Sequence, residues 1–320
     1  MKVLKFGGTS VANADNIKLV LNIVAEKATN DQLVIVVSAL SKVTDLLQLA
    51  SQKAASNDES YKEIVAEIEK KHLDTLKQLI PVSEQSSLLS HLKRIINHLE
   101  TLLDGCFLLG ELSPRTADTI LGFGELLSSY IIAEALKQQL ENSGYADSRE
   151  LIKTNANFGK AIVNFETSNQ LITDFFASNT NQVVVLPGFI ASTTDGIYTT
   201  LGRGGSDYTA AIVAAALNAS ELEIWTDVNG MFTANPKIVK QAQPIATISY
   251  QEAMELSHFG AKVLYPPTIQ PVLRKNIPIL IKNTFDPEAV GTYISNDIVS
   301  QTNPVKGISH IDNIALLTLE

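Results

Sequence analysis

Residues 32–40 read Gln-Leu-Val-Ile-Val-Val-Ser-Ala-Leu, an apolar run rich in β-branched side chains. A strand with one wet face would alternate polar and apolar residues. An unbroken run instead fits a strand buried on both faces of a parallel sheet. The preceding residues supply the rest of the unit. Lys2–Phe6 reads as a short strand and Gly7-Gly8-Thr9-Ser10 as a turn. Asn13–Ala28 reads as a helix with Ile17, Val20, Leu21 and Val24 on one face. Strand, helix and parallel strand form a right-handed crossover unit, which commits the chain to an α/β fold.

From Val43 to Leu140 the pattern is almost wholly helical. Ile64, Ile68, Leu76 and Ile80 recur at multiples of four within an otherwise charged stretch, the mark of an amphipathic helix. The Ile80-Pro81-Val82-Ser83 stretch reads as a break and restart, with Ser83 as N-cap. This insertion is either a lid or a packing layer. Strands return at 144–151, 182–191, 221–230, 276–284 and 291–295. Their alternation with helices predicts a mostly parallel sheet covered on both faces. Residues 304–320 begin two further strands. These either pad a sheet edge or open another domain, and the second is the expectation.

The chain has 320 residues, enough for two domains or one large α/β unit. With 45% hydrophobic and 18% charged residues, it can bury a substantial core. The net charge of −9 argues against a nucleic-acid partner, whose phosphates need a basic face. Cys106 is the single cysteine, so neither an intrachain disulfide nor a multi-cysteine metal site is possible. The five histidines have no metal-ligand spacing, and no metal ligand is assigned. The start of the chain lacks signal-peptide character and the apolar stretches fall short of a membrane span. A soluble, cytoplasmic protein is expected.

Two glycine turns carry the chemistry. Gly7 and Gly8 follow a strand and precede a helix, where open α/β sheets bind ligands. Without a Cβ they let a phosphate approach peptide N–H groups, and Lys5 could add a full charge. A plain tight turn explains the same residues. The second turn, Gly202-Arg203-Gly204-Gly205-Ser206-Asp207, opens an apolar helix whose positive end points at the turn. Arg203 offers a planar fork for a carboxylate or phosphate. Asp207 either complements the helix dipole or organises a catalytic lysine or a Mg²⁺-bound water. Thr226 and Asp227 end a strand, and Lys262 follows a small-residue turn. Glu125 lies in an apolar helix, where a lone carboxylate is costly. A structural ion pair and contact with a ligand amine both explain it.

The stretches KFGGTSV, GFGELLS, LGRGGSDYTA, IWTDVNG and FGAKVLYP occur here in that order. In this the chain resembles the aspartate kinases of the amino-acid kinase superfamily over nearly its whole length. The stretch from SYQEAMELSHFGAKVL to PVKGIS looks most like the kinase portion of bifunctional aspartokinase–homoserine dehydrogenases. The resemblance implies a three-layer αβα sandwich, with residues 1–297 as the kinase unit and 304–320 as the start of an ACT-type regulatory domain. It implies transfer of a phosphoryl group from ATP, with Mg²⁺, to L-aspartate. Threonine would be the effector, and the full-length form a homo-oligomer. Carried over by motif, Lys5 would neutralise the moving phosphoryl group and Asp207 would organise the centre. Gly7, Gly8, Thr9, Gly204 and Gly205 would lie near phosphates. Ser38, Thr44, Glu125, Phe189, Arg203 and Ser206 would hold aspartate, Glu125 its amino group and Arg203 a carboxylate. Thr226, Asp227, Phe232, Lys237 and Lys262 would contact ATP.

One segment departs from the resemblance. Phe232-Thr233-Ala234-Asn235-Pro236-Lys237 stands where the family reads Tyr-Thr-x-Asp-Pro-Arg. Lysine keeps the charge of arginine but loses its bidentate fork, so weaker or salt-sensitive ATP binding is expected. Two rival readings remain: a related kinase with another acceptor, and a catalytically silent assembly subunit.

Overall fold

The computed structural model describes residues 1–258, 264–296 and 305–309. Eleven strands and eleven α-helices are assigned among them. The strands are β1 (Lys2–Phe6), β2 (Leu33–Val37), β3 (Ser143–Tyr145), β4 (Lys153–Thr154), β5 (Val183–Pro187), β6 (Ile190–Thr193), β7 (Tyr198–Thr200), β8 (Leu222–Thr226), β9 (Thr247–Ser249), β10 (Ile279–Asn283) and β11 (Thr292–Ser295). The helices are α1 (Ala14–Ala28), α2 (Val43–Ala55), α3 (Tyr61–Leu79), α4 (Gln85–Leu109), α5 (Pro114–Leu121), α6 (Phe123–Lys137), α7 (Ser148–Leu151), α8 (Phe165–Ser178), α9 (Gly205–Ala216), α10 (Tyr250–His258) and α11 (Gln270–Arg274).

Eight strands form one sheet in the order β3-β5-β2-β1-β8-β10-β11-β9. Every neighbouring pair is parallel except β10 with β11. The strand period of two then builds two cores. From β2, Leu33, Ile35 and Val37 face one core while Val34 and Val36 face the other. β5 divides the same way, Val183 and Val185 against Val184 and Leu186. The first core is completed by residues of α1 to α6, the second by residues of α7 to α11. This is the expected three-layer αβα arrangement. A small sheet, β4-β6-β7, stands beside it.

The helical insertion is a packing layer. Leu47, Ile68, Leu92, Leu103 and Ile131 are fully buried in the same core as Leu4 and Ile35 of the central strands. Cys106 sits there too, a buried small hydrophobe. The run Pro114–Lys137 is long and apolar enough to cross a membrane, which amends the expectation that no stretch reaches that length. Within this fold 72% of its window is buried in protein, as in a core helix.

Other boundaries differ from the sequence reading. The predicted strand 144–151 divides into β3 and α7, because the Asp147 carboxylate accepts from the Arg149 N–H and caps a helical turn. The run 182–191 divides into β5 and β6 of separate sheets, bent at Gly188-Phe189. Ser83 is not an N-cap: it lies inside a short 3₁₀ turn, Val82–Glu84, and α4 starts without a side-chain cap. Asn13 does cap α1, accepting from Asn16 N–H at 3.0 Å. The terminal strands expected over 304–320 lie almost wholly outside the described residues; 305–309 carry no regular element.

Candidate functional site

The parallel strands β1, β2, β5 and β8 all end on one edge of the sheet, and a cavity of about 570 Å³ opens there. Its lining brings together thirteen of the predicted residues: Lys5, Gly7, Gly8, Thr9, Ser38, Thr44, Glu125, Phe189, Gly204, Gly205, Ser206, Asp207 and Thr226. They come from β1, the β1–α1 turn, the β2–α2 loop, α6, the β5–β6 bend, the start of α9 and the end of β8.

The two glycine turns meet through a charge pair. Lys5 Nζ lies 2.7 Å from Asp207 Oδ1, with both side chains largely buried. At this distance the ammonium and the carboxylate form a close ion pair. Gly204 has φ +71°, the left-handed region that favours glycine. A Cβ there would stand 2.9 Å from Thr268 Cγ2. Gly8 is needed for a different reason: its Cβ would lie 3.1 Å from the Ala39 carbonyl oxygen, against the next wall of the cavity. The start of α9, Gly205 to Asp207, lines this space, and the positive end of the helix lies there.

Phe189 has φ +67°, an uncommon conformation for a side chain of its size. The bend holds it by two bonds. Its N–H donates to Thr209 Oγ1 at 3.0 Å, and its carbonyl accepts from Leu201 N–H at 2.9 Å.

Glu125 is 4% exposed. Burial pushes its carboxyl up to about 8, against the pull of the Ala39 N–H, its own N–H and the Lys5 charge. Its Oε2 has no hydrogen-bond partner among the described residues. Glu125 forms no close ion pair among the described residues, although the Lys5 charge acts on it.

The remaining predicted residues are placed elsewhere. Arg203 is exposed, its guanidinium 5.2 Å from the Tyr265 ring centre, outside the cavity lining. Asp227 is exposed and accepts from Thr226 Oγ1 at 3.2 Å. Phe232 pairs with Pro244 in an isolated bridge, and Lys237 is an exposed loop residue whose N–H donates to Asn235 Oδ1. Lys262 lies outside the described residues.

Gly202 of the second turn lines the cavity as well, together with residues that the sequence reading passed over: Ala39, Leu40, Ser41, Lys42 and Asp45. Lys42 has φ +68° and Ser41 offers its carbonyl to Lys71 Nζ of α3. No local pattern marks them; the insertion fixes their conformation from outside. Among the described residues no three His, Cys, Asp or Glu converge as a metal cage. Asp207 and Asp45 at the cavity instead fit Mg²⁺ carried on a nucleotide, since Mg²⁺ commonly takes one or two carboxylates beside phosphate oxygens.

Residues 1–283 match the amino acid kinase family, and the chain belongs to it. Within that family its relatives are aspartokinases. It is 39% identical over 324 residues to a chloroplastic bifunctional aspartokinase/homoserine dehydrogenase 2 of Arabidopsis thaliana, matching 99% of this chain and 35% of that protein. It is 36% identical to the lysine-sensitive aspartokinase 3 of Escherichia coli, across 92% of this chain and 64% of that one. The solved E. coli aspartokinase III in complex with aspartate and ADP superposes with a TM-score of 0.85 at 34% identity, covering 93% of this chain and 65% of that chain. The chain thus spans about a third of the bifunctional relatives it matches.

Proposed function

We propose that this chain transfers the γ-phosphoryl group of ATP to the β-carboxylate of L-aspartate, giving 4-phospho-L-aspartate and ADP. The observation that carries the reading is the Lys5–Asp207 pair, held between two glycine turns and facing the buried, unpartnered Oε2 of Glu125 in one cavity. The names of the aspartokinase relatives, one of them solved with aspartate and ADP, point to the same acceptor.

The acceptor carboxylate is ionised near neutral pH, so the reaction needs no strong base. One of its oxygens forms the new bond to phosphorus as the bond to the bridging oxygen of ADP breaks. The barrier is anion repulsion and misalignment, and cations and positioning lower it. Lys5 supplies a positive charge. The N–H groups of Gly8 and Thr9 and of Ser206 and Asp207 at the start of α9 supply fixed partial charges, since those of Gly7 and Gly205 are bonded to Trp225 and Gly202 carbonyls. Glu125 Oε2 accepts from the substrate ammonium, and Ser38, Thr44, Phe189 and Ser206 shape the acceptor side. Asp207 would hold Mg²⁺ or its water; when bound, the ion neutralises phosphate charge. Arg203 reaches a substrate carboxylate from the rim by leaving Tyr265.

The same reading takes 1–297 as the catalytic unit and 304–320 as the opening of a regulatory domain. It includes homo-oligomer formation, a cytoplasmic location and threonine as effector. The test is an aspartyl-hydroxamate assay on the 320-residue chain with MgATP, hydroxylamine and either aspartate or glutamate. Aspartate-dependent hydroxamate is expected. Glutamate-dependent product, or none while nucleotide still binds, overturns the reading.

A further inference from the structure

Asp118 on α5 is 2% exposed and forms no ion pair among the described residues. Its charge is met by three donors on two other segments. Gly159 N–H donates to both carboxylate oxygens, at 2.9 and 3.0 Å. Thr200 N–H donates to Oδ2 at 2.9 Å and Thr200 Oγ1 to Oδ1 at 2.9 Å. A buried anion satisfied this fully is costly to build for stability alone, because an apolar residue of similar volume would serve the packing. What it gains is a fixed position for the donors.

Thr200 ends β7, and the next residues form the second glycine turn. Leu201 N–H donates to the carbonyl of Phe189, whose own N–H is held by Thr209 of α9. Gly159 presses on the same turn: its carbonyl oxygen lies 3.1 Å from where a Gly202 Cβ would stand. Asp118 therefore clamps both the strand that enters the turn and the loop that backs it. The helix carrying it is followed immediately by α6, with Glu125 in its first turn.

We infer that Asp118 is a positioning residue for the acceptor site: it fixes the distance between Glu125 on one wall and the Phe189 and Gly202–Asp207 turn on the other. The inference rests on the aspartate kinase reading for its kinetic form. It sits on the acceptor side of the cavity, and the Gly7–Thr9 side has no bond to this clamp.

The test compares Asp118→Asn and Thr200→Val with the unaltered chain. Asn keeps the shape but sets an NH₂ against N–H donors; Val removes only the hydroxyl bond. Two readouts are taken: KM for aspartate and for ATP, and amide hydrogen exchange by mass spectrometry over residues 199–205. For Asp118→Asn the expected result is about a tenfold rise in KM for aspartate, the scale of one lost charge-assisted bond, with KM for ATP within about twofold. Exchange over 199–205 should quicken while β1 stays protected. Thr200→Val should show the same pattern more weakly, and Thr200→Ser should restore it. If both variants only lower Tm, with the two KM values and the 199–205 exchange unchanged, Asp118 is structural and the inference fails. If Asp118→Asn does not fold, Thr200→Val decides by the same criteria. If the unaltered chain makes no aspartyl phosphate, the functional reading fails; the exchange measurement then decides the clamp by itself.

Discussion

Lys5 and Glu125 line the same cavity, and the fold treats their ionisable groups differently. Lys5 is paired with Asp207 at 2.7 Å, between the two glycine turns. Lys5→Ala should therefore lower kcat by about 10²-fold or more, with a smaller change in KM, since the charge acts mainly as the phosphoryl group moves. Steady-state kinetics in both substrates checks this; an unchanged kcat would remove Lys5 from the chemistry. Glu125 behaves differently because burial holds its carboxyl near 8. A substrate ammonium favours the ionised form, so aspartate binding should release a proton. KM for aspartate is expected to fall as pH rises from about 6.5 to 8.5. With Glu125→Gln it should be higher and nearly flat across that range.

At the scale of elements, the question is what the long helical insertion contributes. With α1 its helices cover one face of the sheet, and Lys42, Thr44 and Asp45 at its start reach the cavity. A lid would tolerate loss of an interior side chain without loss of global stability. Leu103 of α4 is fully buried in the central core, so Leu103→Ala should cost about 2–5 kcal/mol in urea unfolding. The transition should stay single. A separate early transition of the insertion, with the sheet unaffected, would show that it folds independently.

For the whole molecule, the buried titratable groups set how stability varies with pH. The Glu125 carboxyl is raised from 4.5 to about 8 and that of Glu221 to about 6, both chiefly by burial. Each is protonated in the folded chain at pH values where the unfolded chain is ionised. Their contribution is complete below about 4.5 and is lost as pH rises, through about 6 for Glu221 and about 8 for Glu125. His72 has the opposite sign. Buried and bonded only through Nδ1 to the Ile68 carbonyl, it is lowered from 6.5 to about 4, so its contribution is lost as pH falls through that window. Between about 6.5 and 8 the Glu125 slope stands without the opposing contribution of His72. Stability of the ligand-free chain should fall across that interval, and Glu125→Gln should flatten it. Denaturant midpoints at three pH values measure the slope.

Patterns in neighbouring residues determined the elements and much of the site. The β-branched run at 33–37 could only be a strand buried twice over, and the glycine pairs could only be turns at strand or helix ends. The 182–191 run hid its bend because Gly188-Phe189 interrupts a stretch whose apolar residues suit either of two sheets. Asp118 and Lys42 gave no signal at all. Asp118 looks like an ordinary helix-surface carboxylate until β7 and the 155–160 loop close over it, and the left-handed turn at Lys42 depends on helices packed around it. Local sequence thus decided which segments are helix, strand and turn, because those choices depend on side-chain period and backbone freedom. Tertiary structure alone decided which carboxylate is left bare, which is clamped and which is paired, because desolvation and hydrogen-bond partners arise only when distant segments meet.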